Sequence, residues 1–196
     1  LPVQSGSSSV PKRMNRQHTR QEYMDLTDQI KKIMPGTAIS QDMIVGFCGE
    51  TDEEHRDTLS MMEYVGYDYG FMYAYSERPG TLAAKRMEDD VPQSIKKQRL
   101  NEIINLQRKL SSNNTKTYLK KTIEVLIEGT SKKSQEHWMG RNSQNYVTIF
   151  PKNGEKIGDY VLVKVEECTS ATLIGTKIGT AQDVPFVTNT TEKTAS

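Results

Sequence analysis

The sequence predicts an α/β fold followed by a small all-β barrel. Helix-like and strand-like segments alternate up to about residue 91, and residues 67–75 carry an aromatic side chain at every second position, which is the period of a strand. Beyond residue 118 the pattern changes to short alternating strands separated by turn residues. We therefore expect an α/β region over 1–91, a connecting helix over 92–117, the barrel over 118–180 and a disordered tail over 181–196.

The first helix and strand have clear boundary signals. Thr19-Arg20-Gln21-Glu22 has the form of a capping box, and Pro35-Gly36 ends the helical pattern. The apolar face predicted for this helix comprises Tyr23, Leu26, Ile30 and Ile33. Residues 38–47 follow as a strand with an apolar run, Met43-Ile44-Val45, of the kind that a parallel sheet buries on both faces.

A second helix and the aromatic strand complete the alternation. The capping box Thr51-Asp52-Glu53-Glu54 begins a helix whose predicted buried side contains Leu59, Met62 and Val65. In the strand we expect the rings mainly to pack in the core, although Tyr73 or Tyr75 could reach a pocket. In parallel sheets, functional residues gather in the loops that follow the strands. Here those loops are residues 4–9, 47–51 and 76–81.

The α/β region has too few strands to close on itself. If Leu1–Gln4 is counted as a strand, the sheet has three, and a closed barrel needs more. We therefore expect part of a larger barrel whose remaining strands lie outside this sequence.

The second half of the chain predicts a long helix and an OB-like barrel. Pro92 fits the first turn of the helix, whose apolar positions end at Leu110 before the polar stretch Ser111–Asn114. Short strands are predicted over residues 122–128, 145–150, 160–166 and 171–178, and we expect a small antiparallel barrel of four or five strands.

Composition limits the classes of function. Of the 196 residues 35% are hydrophobic and 26% charged, and no run approaches the roughly 18 apolar residues that cross a bilayer, so we expect no membrane partner. Leu1-Pro2-Val3 has no feature of a signal peptide, and we expect a cytoplasmic protein whose natural start is missing. Cys48 and Cys168 have no metal-ligand spacing, so we expect reduced thiols, with Cys48 a small buried hydrophobe, and no metal site.

Ordered motifs give the chain a family resemblance. The segments are Leu1–Ser7, Met14-Asn15-Arg16 with Thr19, Asp42–Phe47 with Gly49-Glu50-Thr51, and Tyr75–Thr81, continued by Asp89–Pro92 and Lys97–Leu100. In this order they resemble the second half of the radical S-adenosylmethionine (SAM) methylthiotransferases. Val125–Ser134 with Gly140-Arg141 looks like the TRAM domain appended in that family. The resemblance covers essentially residues 1–179 and implies a partial radical SAM (βα) barrel followed by a TRAM barrel.

The resemblance also implies an activity. An intact enzyme of this kind adds a methylthio group to carbon 2 of isopentenyladenosine next to the anticodon of tRNA, using SAM, two 4Fe-4S clusters and a reducing electron donor. The family's closely spaced cysteines are absent from this sequence, and two isolated cysteines cannot supply two sets of three ligands. We therefore expect no catalytic or metal-ligating residue here and an inactive chain in isolation.

Eight residues are candidates for binding SAM. The carboxyl end of the second strand offers an apolar edge for adenine and a glycine that permits close approach, whereas the first loop offers hydroxyl and amide groups and Arg16 a fork for a carboxylate. The candidates are Gln4, Ser5, Ser7, Arg16, Ile44, Val45, Gly46 and Phe47.

A second group of residues is predicted to bind the tRNA anticodon stem-loop. Residues 115–180 carry ten Lys or Arg against seven Asp or Glu, whereas residues 1–114 carry fifteen against sixteen, so the basic excess lies in the barrel. Basic side chains attract the RNA backbone, and aromatic rings stack on bases. The candidates are Arg78, Lys120, Lys121, Lys132, Lys133, Trp138, Arg141 and Tyr146. We expect no DNA partner.

Two alternatives stay open at this point. The chain could be a stand-alone RNA-binding module without catalysis. It could also be part of a related methylthiotransferase that acts on threonylcarbamoyl-adenosine or on a ribosomal protein.

Overall fold

The computed structural model describes residues 3–180. These residues form two compact units, one of residues 3–117 together with 169–171 and one of residues 118–168 together with 172–180. In chain order the first unit has the helices and strands α1 (Ser9–Arg13), α2 (Arg20–Ile33), β1 (Ser40–Val45), α3 (Asp52–Val65), β2 (Tyr69–Ala74), α4 (Leu82–Arg86) and α5 (Gln93–Lys116). The second has β3 (Thr122–Thr130), β4 (His137–Arg141), β5 (Val147–Pro151), β6 (Tyr160–Cys168) and β7 (Thr172–Thr180). The tail predicted over 181–196 lies outside the described residues.

Both predicted capping boxes are present. The hydroxyls of Thr19 and Thr51 accept from the backbone N–H of Glu22 and Glu54, whose carboxylates accept from the two threonine N–H groups in return. Each box satisfies donors that the first helical turn leaves without a partner, and this fixes the starts of α2 and α3.

The sheet of the first unit is parallel, as the alternation predicted. β1 pairs with β2 from Ser40 opposite Tyr69 to Val45 opposite Ala74. Gln4 forms a parallel bridge to Met43 on the other side of β1, where the sequence predicted a third strand. Alternate β1 side chains, including Met43 and Val45, are buried in the main core of this unit.

The predicted helix faces need correction. Tyr23 is buried, but Leu26 and Ile33 are exposed, and the small Thr27 lies in the core instead. On α3, Met62 and Val65 are buried as predicted. The apolar spacing of α2 therefore predicted a wider buried face than the helix has.

Helix α5 includes a polar stretch near its carboxyl end, because the polar residues there have hydrogen-bond partners. It continues through Ser111–Asn114 to Lys116. The Ser111 hydroxyl donates to the Asp68 carbonyl at 2.6 Å, and the Asn114 amide donates to the Gly66 carbonyl at 3.0 Å. These bonds hold the helix against the turn before β2, so the polar stretch is part of the helix.

The second unit is a closed five-stranded barrel in the order β3-β4-β5-β7-β6, which confirms the OB-like prediction. All neighbouring pairs are antiparallel except β5 with β7. The core inside the strands comprises Val125, Ile127, Phe150, Val161 and Val163. Strand β4 was not among the four predicted ranges, and it is the fifth strand of the barrel.

Candidate functional site

A cleft with a volume of about 970 Å³ lies over one face of the sheet in the first unit. Strand register places Ile44 beside Tyr73 and Asp42 beside Phe71 on this face. Tyr73 is 55% exposed and Phe71 60% exposed. The prediction that these rings mainly pack in the core is wrong for both, although Tyr73 and Tyr75 line the cleft as the alternative allowed.

Two aromatic rings pack against each other at the carboxyl end of the sheet. Phe47 follows β1 and Tyr75 follows β2, and their ring centroids lie 4.9 Å apart in an edge-to-face arrangement. Burial and a hydrogen bond to Cys48 raise the pKa of Tyr75 to about 12. Tyr75 is therefore a neutral phenol at physiological pH. Cys48 is buried here beside Phe47 and Val10, in the hydrophobic environment that was predicted.

The buried side chain of Lys96 contacts Tyr75 of this pair. Lys96 on α5 is 1% exposed and donates to both carboxylate oxygens of Asp89, at 2.5 and 2.6 Å. Its ammonium also donates to the Tyr75 carbonyl at 3.3 Å and lies 5.2 Å from the centre of the Tyr75 ring. A buried ammonium is tolerated only when it is paired and hydrogen-bonded, and Lys96 meets that condition.

Arg99, one helical turn along α5, holds the loop after β1. Its guanidinium donates to the carboxylate and the backbone carbonyl of Glu50, at 2.9 Å each, and to Asp52 at 2.7 Å. Glu50 in turn accepts the N–H of Gly46 at 2.6 Å. Burial raises the pKa of Glu50, which means that removing water outweighs the nearby positive charge and hydrogen bonds. Helix α5 thus fastens the ends of both strands.

The predicted SAM residues lie in different environments. Ile44 and Phe47 line the cleft, whereas the Val45 side chain is buried in the core on the opposite face. Gly46 has φ +69°, and an added Cβ would lie 2.4 Å from Lys96 Cγ, so glycine is required there. The sequence analysis expected SAM to approach the backbone at Gly46. In the structure the side chain of Lys96 approaches it instead.

The first loop uses its hydroxyl groups internally. Ser5 Oγ shares a hydrogen bond with Thr58 Oγ1 at 3.1 Å, and Ser7 Oγ shares one with Ser9 Oγ at 2.8 Å. Gln4 is buried, and its Oε1 has no hydrogen-bond partner within residues 3–180. Arg16 is exposed and is not among the residues that line the cleft.

Several cleft residues were not predicted. Lys12, Arg13 and Asn15 line it from α1 and the turn that follows, and Arg86 lines it from α4. Arg13 forms a bidentate pair with Glu54, at 2.8 Å for both bonds, and this pair holds the pKa of Glu54 at about 2. Arg78, which was predicted, also lines the cleft and is exposed. Neither α1 nor α4 has a periodic signal, because each has only five residues.

The predicted tRNA residues of the barrel lie at different positions along β3. Lys120 and Lys121 precede the strand, whereas Lys132 and Lys133 lie in the exposed loop after it. About 26 Å separates the two ends of this nine-residue strand. Basic groups at opposite ends of β3 therefore form two separate patches.

The remaining barrel candidates have protein partners. Tyr146 is buried against Val165 and Leu173, and its ring lies 5.0 Å from that of Tyr118. Trp138 donates from its indole to Glu155 at 3.1 Å. Arg141 pairs with Glu128 at 3.1 Å and is partly exposed.

Two kinds of feature are absent from the described part of the chain. Within residues 3–180 no group of three His, Cys, Asp or Glu side chains could hold a metal ion. In the same range no helix is long and apolar enough to cross a membrane.

Both parts of the chain have matches among known proteins. Residues 1–62 match the radical SAM superfamily, and residues 116–178 match the TRAM domain. The chain is similar to tRNA-2-methylthio-N(6)-dimethylallyladenosine synthase of Christiangramia forsetii, with 58% identity over 179 residues, 91% of this chain and 37% of the relative. Proteins of the same name from Chloroherpeton thalassium and Bacteroides fragilis are 52% and 50% identical over 89% and 91% of this chain, which covers 39% of each. The chain thus spans less than two fifths of the length of these relatives.

Proposed function

We propose that this chain, which joins a radical SAM segment to a TRAM domain, is the carboxyl-terminal part of a tRNA methylthiotransferase. The intact enzyme would add a methylthio group to carbon 2 of isopentenyladenosine next to the anticodon, in the cytoplasm. The observation that carries the proposal is the identity of 58% over 91% of the chain to a relative whose name states a reaction of this kind.

The cleft of the first unit has the chemistry to hold part of SAM. Ile44 and Phe47 provide an apolar wall for an adenine ring, and Asp42 and Lys12 provide charges of both signs for an amino acid group. Lys12 lines the cleft, so we assign the SAM carboxylate to it rather than to Arg16. When bound, SAM supplies the radical and the methyl group of the reaction; the residues of this chain bind and orient it.

The chain does not fit an iron–sulfur cluster. Its two cysteines, Cys48 and Cys168, are 120 positions apart, and Cys48 is buried beside Phe47. In the proposal, any cluster is held by residues outside this sequence, together with the site that receives electrons from a donor.

The TRAM barrel is proposed to bind the anticodon stem-loop. The exposed Lys132 and Lys133 supply attraction for the phosphate backbone. The barrel also has the closed OB-like topology that commonly serves nucleic-acid binding. Arg78 would contact the same RNA from the cleft, close to the target base.

A binding titration tests the proposal. The purified chain is titrated with an anticodon hairpin that carries isopentenyladenosine, at two salt concentrations, with an unmodified hairpin and a double-stranded DNA as controls. We expect salt-sensitive binding that prefers the modified hairpin. Equal binding of the modified hairpin and the DNA would contradict a tRNA-recognition role for this part of the enzyme.

A further inference from the structure

One end of the TRAM barrel carries a lysine in an unusually well-supported position. Lys152 follows β5, and its backbone N–H donates to the Glu136 carbonyl at 3.0 Å, which joins it to the loop that contains Lys132 and Lys133. Its ammonium donates to Thr130 Oγ1 at 2.9 Å and lies 4.3 Å from the centre of the Trp138 ring. Strand register explains the arrangement, because Trp138 pairs with Thr130 on one side and with Phe150 on the other.

The indole of Trp138 is held in place by a hydrogen bond. Its indole N–H donates to Glu155, whose side chain is only 3% exposed and forms an ion pair with Lys177 at 2.5 Å. The indole edge is therefore occupied, and Lys152 covers one face of the ring. This geometry makes Trp138 a support for a cation rather than an open surface for base stacking.

The charges at this end favour an anion. Lys132 and Lys133 are exposed in the adjoining loop, and the acidic Glu155 is neutralised by Lys177. The exposed Glu136 is the acid that faces solvent in the same loop. An ammonium has three donors, and Thr130 takes one of those on Lys152, which leaves donors for a ligand oxygen.

We propose that Lys152 is an RNA phosphate-binding residue, positioned by Trp138 and Thr130, and that it forms one binding patch with Lys132 and Lys133. The patch at the other end of β3, with Lys120 and Lys121, does not contribute to the same contact. Because Lys152 is already held in place, it loses less side-chain entropy on binding than a free surface lysine does. The proposal rests on the proposed tRNA function and specifies which end of the barrel meets the RNA.

The salt dependence of binding tests the proposal directly. Each phosphate contact to single-stranded RNA contributes about 0.7 to the slope of log affinity against log salt concentration. We expect Lys152→Ala to lower affinity for the tRNA hairpin about tenfold at low salt and to reduce the slope by about 0.7. Lys152→Arg keeps the charge and should keep the slope.

The matched control is Lys164→Ala on β6. Lys164 is exposed in the same barrel but pairs with Thr122, at the far end of β3 from Thr130. We expect this variant to keep both affinity and slope. An unfolding midpoint for each variant separates loss of the contact from loss of the fold, since a structural effect of Lys152→Ala would lower the midpoint without a specific change in slope.

Failure of this proposal and failure of the proposed function look different. A slope for Lys152→Ala equal to that of Lys164→Ala would overturn the phosphate contact, whatever the hairpin preference. Equal affinity for modified and unmodified hairpins counts against the substrate assignment, but the two slopes can still be compared on either RNA.

Discussion

Arg99 donates to Glu50 twice, once to its carboxylate and once to its backbone carbonyl, and both bonds are 2.9 Å long. Both side chains are buried, and Glu50 Oε1 has no partner among the described residues. The loop that follows β1 depends on this contact, because the same carboxylate accepts the N–H of Gly46.

Replacement of Arg99 should destabilise the first unit strongly. Arg99→Met leaves a buried carboxylate without its cation, and we expect a loss of about 3 to 5 kcal/mol in the free energy of unfolding. Urea denaturation measures the change. Arg108→Met, at an exposed position on the same helix, should change stability by less than about 0.5 kcal/mol. Equal losses in the free energy of unfolding for the two variants would show that the contact between Arg99 and Glu50 does not stabilise the fold.

Gly46 and Gly49 make a matched pair for measuring a steric effect. Both have φ +69°, but a Cβ at Gly46 would lie 2.4 Å from Lys96 Cγ, whereas nothing lies within 4 Å of one at Gly49. We expect Gly49→Ala to cost about 1 to 2 kcal/mol, from the left-handed backbone alone. Gly46→Ala should cost more, because the buried Lys96 must also move. Thermal unfolding of both variants compares them, and similar midpoints would contradict the predicted clash.

The pair between Arg13 and Glu54 should give stability that depends on pH. The pKa of Glu54 is about 2 in the folded protein, below its ordinary value, so the contribution is complete above about pH 5 and is lost as the pH falls toward 2. Glu54→Gln should remove this part of the pH dependence and cost roughly 1 to 3 kcal/mol at neutral pH.

Glu22→Gln is the control, because Glu22 occupies the same position in the other capping box but has its lowered pKa from Thr19 rather than from an arginine. Both glutamines can still accept the capping hydrogen bond. Unfolding curves from pH 2 to pH 7 should therefore separate the variants, and parallel curves would rule out a contribution from Arg13.

Arg78 should contribute to RNA affinity from the cleft. Arg78→Ala removes an exposed guanidinium from the cleft wall, and we expect affinity for the isopentenylated hairpin to fall about tenfold if it contacts the RNA as proposed. Fluorescence anisotropy measures the affinity. Arg108→Ala removes an equal charge from an exposed position outside the cleft and should leave the affinity unchanged.

Helix starts and the change to β structure could be predicted, because each depends on residues that are close together in the sequence. The two capping boxes fixed the starts of α2 and α3, and the change in periodicity after α5 predicted the barrel. Strand β4 lacked such a signal, because His137–Arg141 does not alternate and contains Gly140. A Cβ at Gly140 would lie 2.2 Å from the Leu126 carbonyl oxygen, so the reason for that glycine lies in a neighbouring strand.

The site was harder to predict than the fold, because its positions depend on tertiary contacts. In the sequence, Lys96 is an ordinary helical lysine, and only the approach of Asp89 and Tyr75 shows why it is buried. Trp138 and Tyr146 were selected as aromatic residues among basic ones, but burial and Glu155 determine what their rings can contact. The placement of Ile44 and Phe47 followed more directly from their position at the end of a strand.

The order of the barrel strands determines when the barrel can fold during translation. The last described strand, β7, hydrogen-bonds to both β5 and β6, so neither neighbour is fully paired until β7 has left the ribosome. The five-stranded barrel must therefore close late in translation, through contacts between residues far apart in sequence, and such closure is slow. During that interval β5 exposes an open edge that a chaperone or another nascent chain can bind.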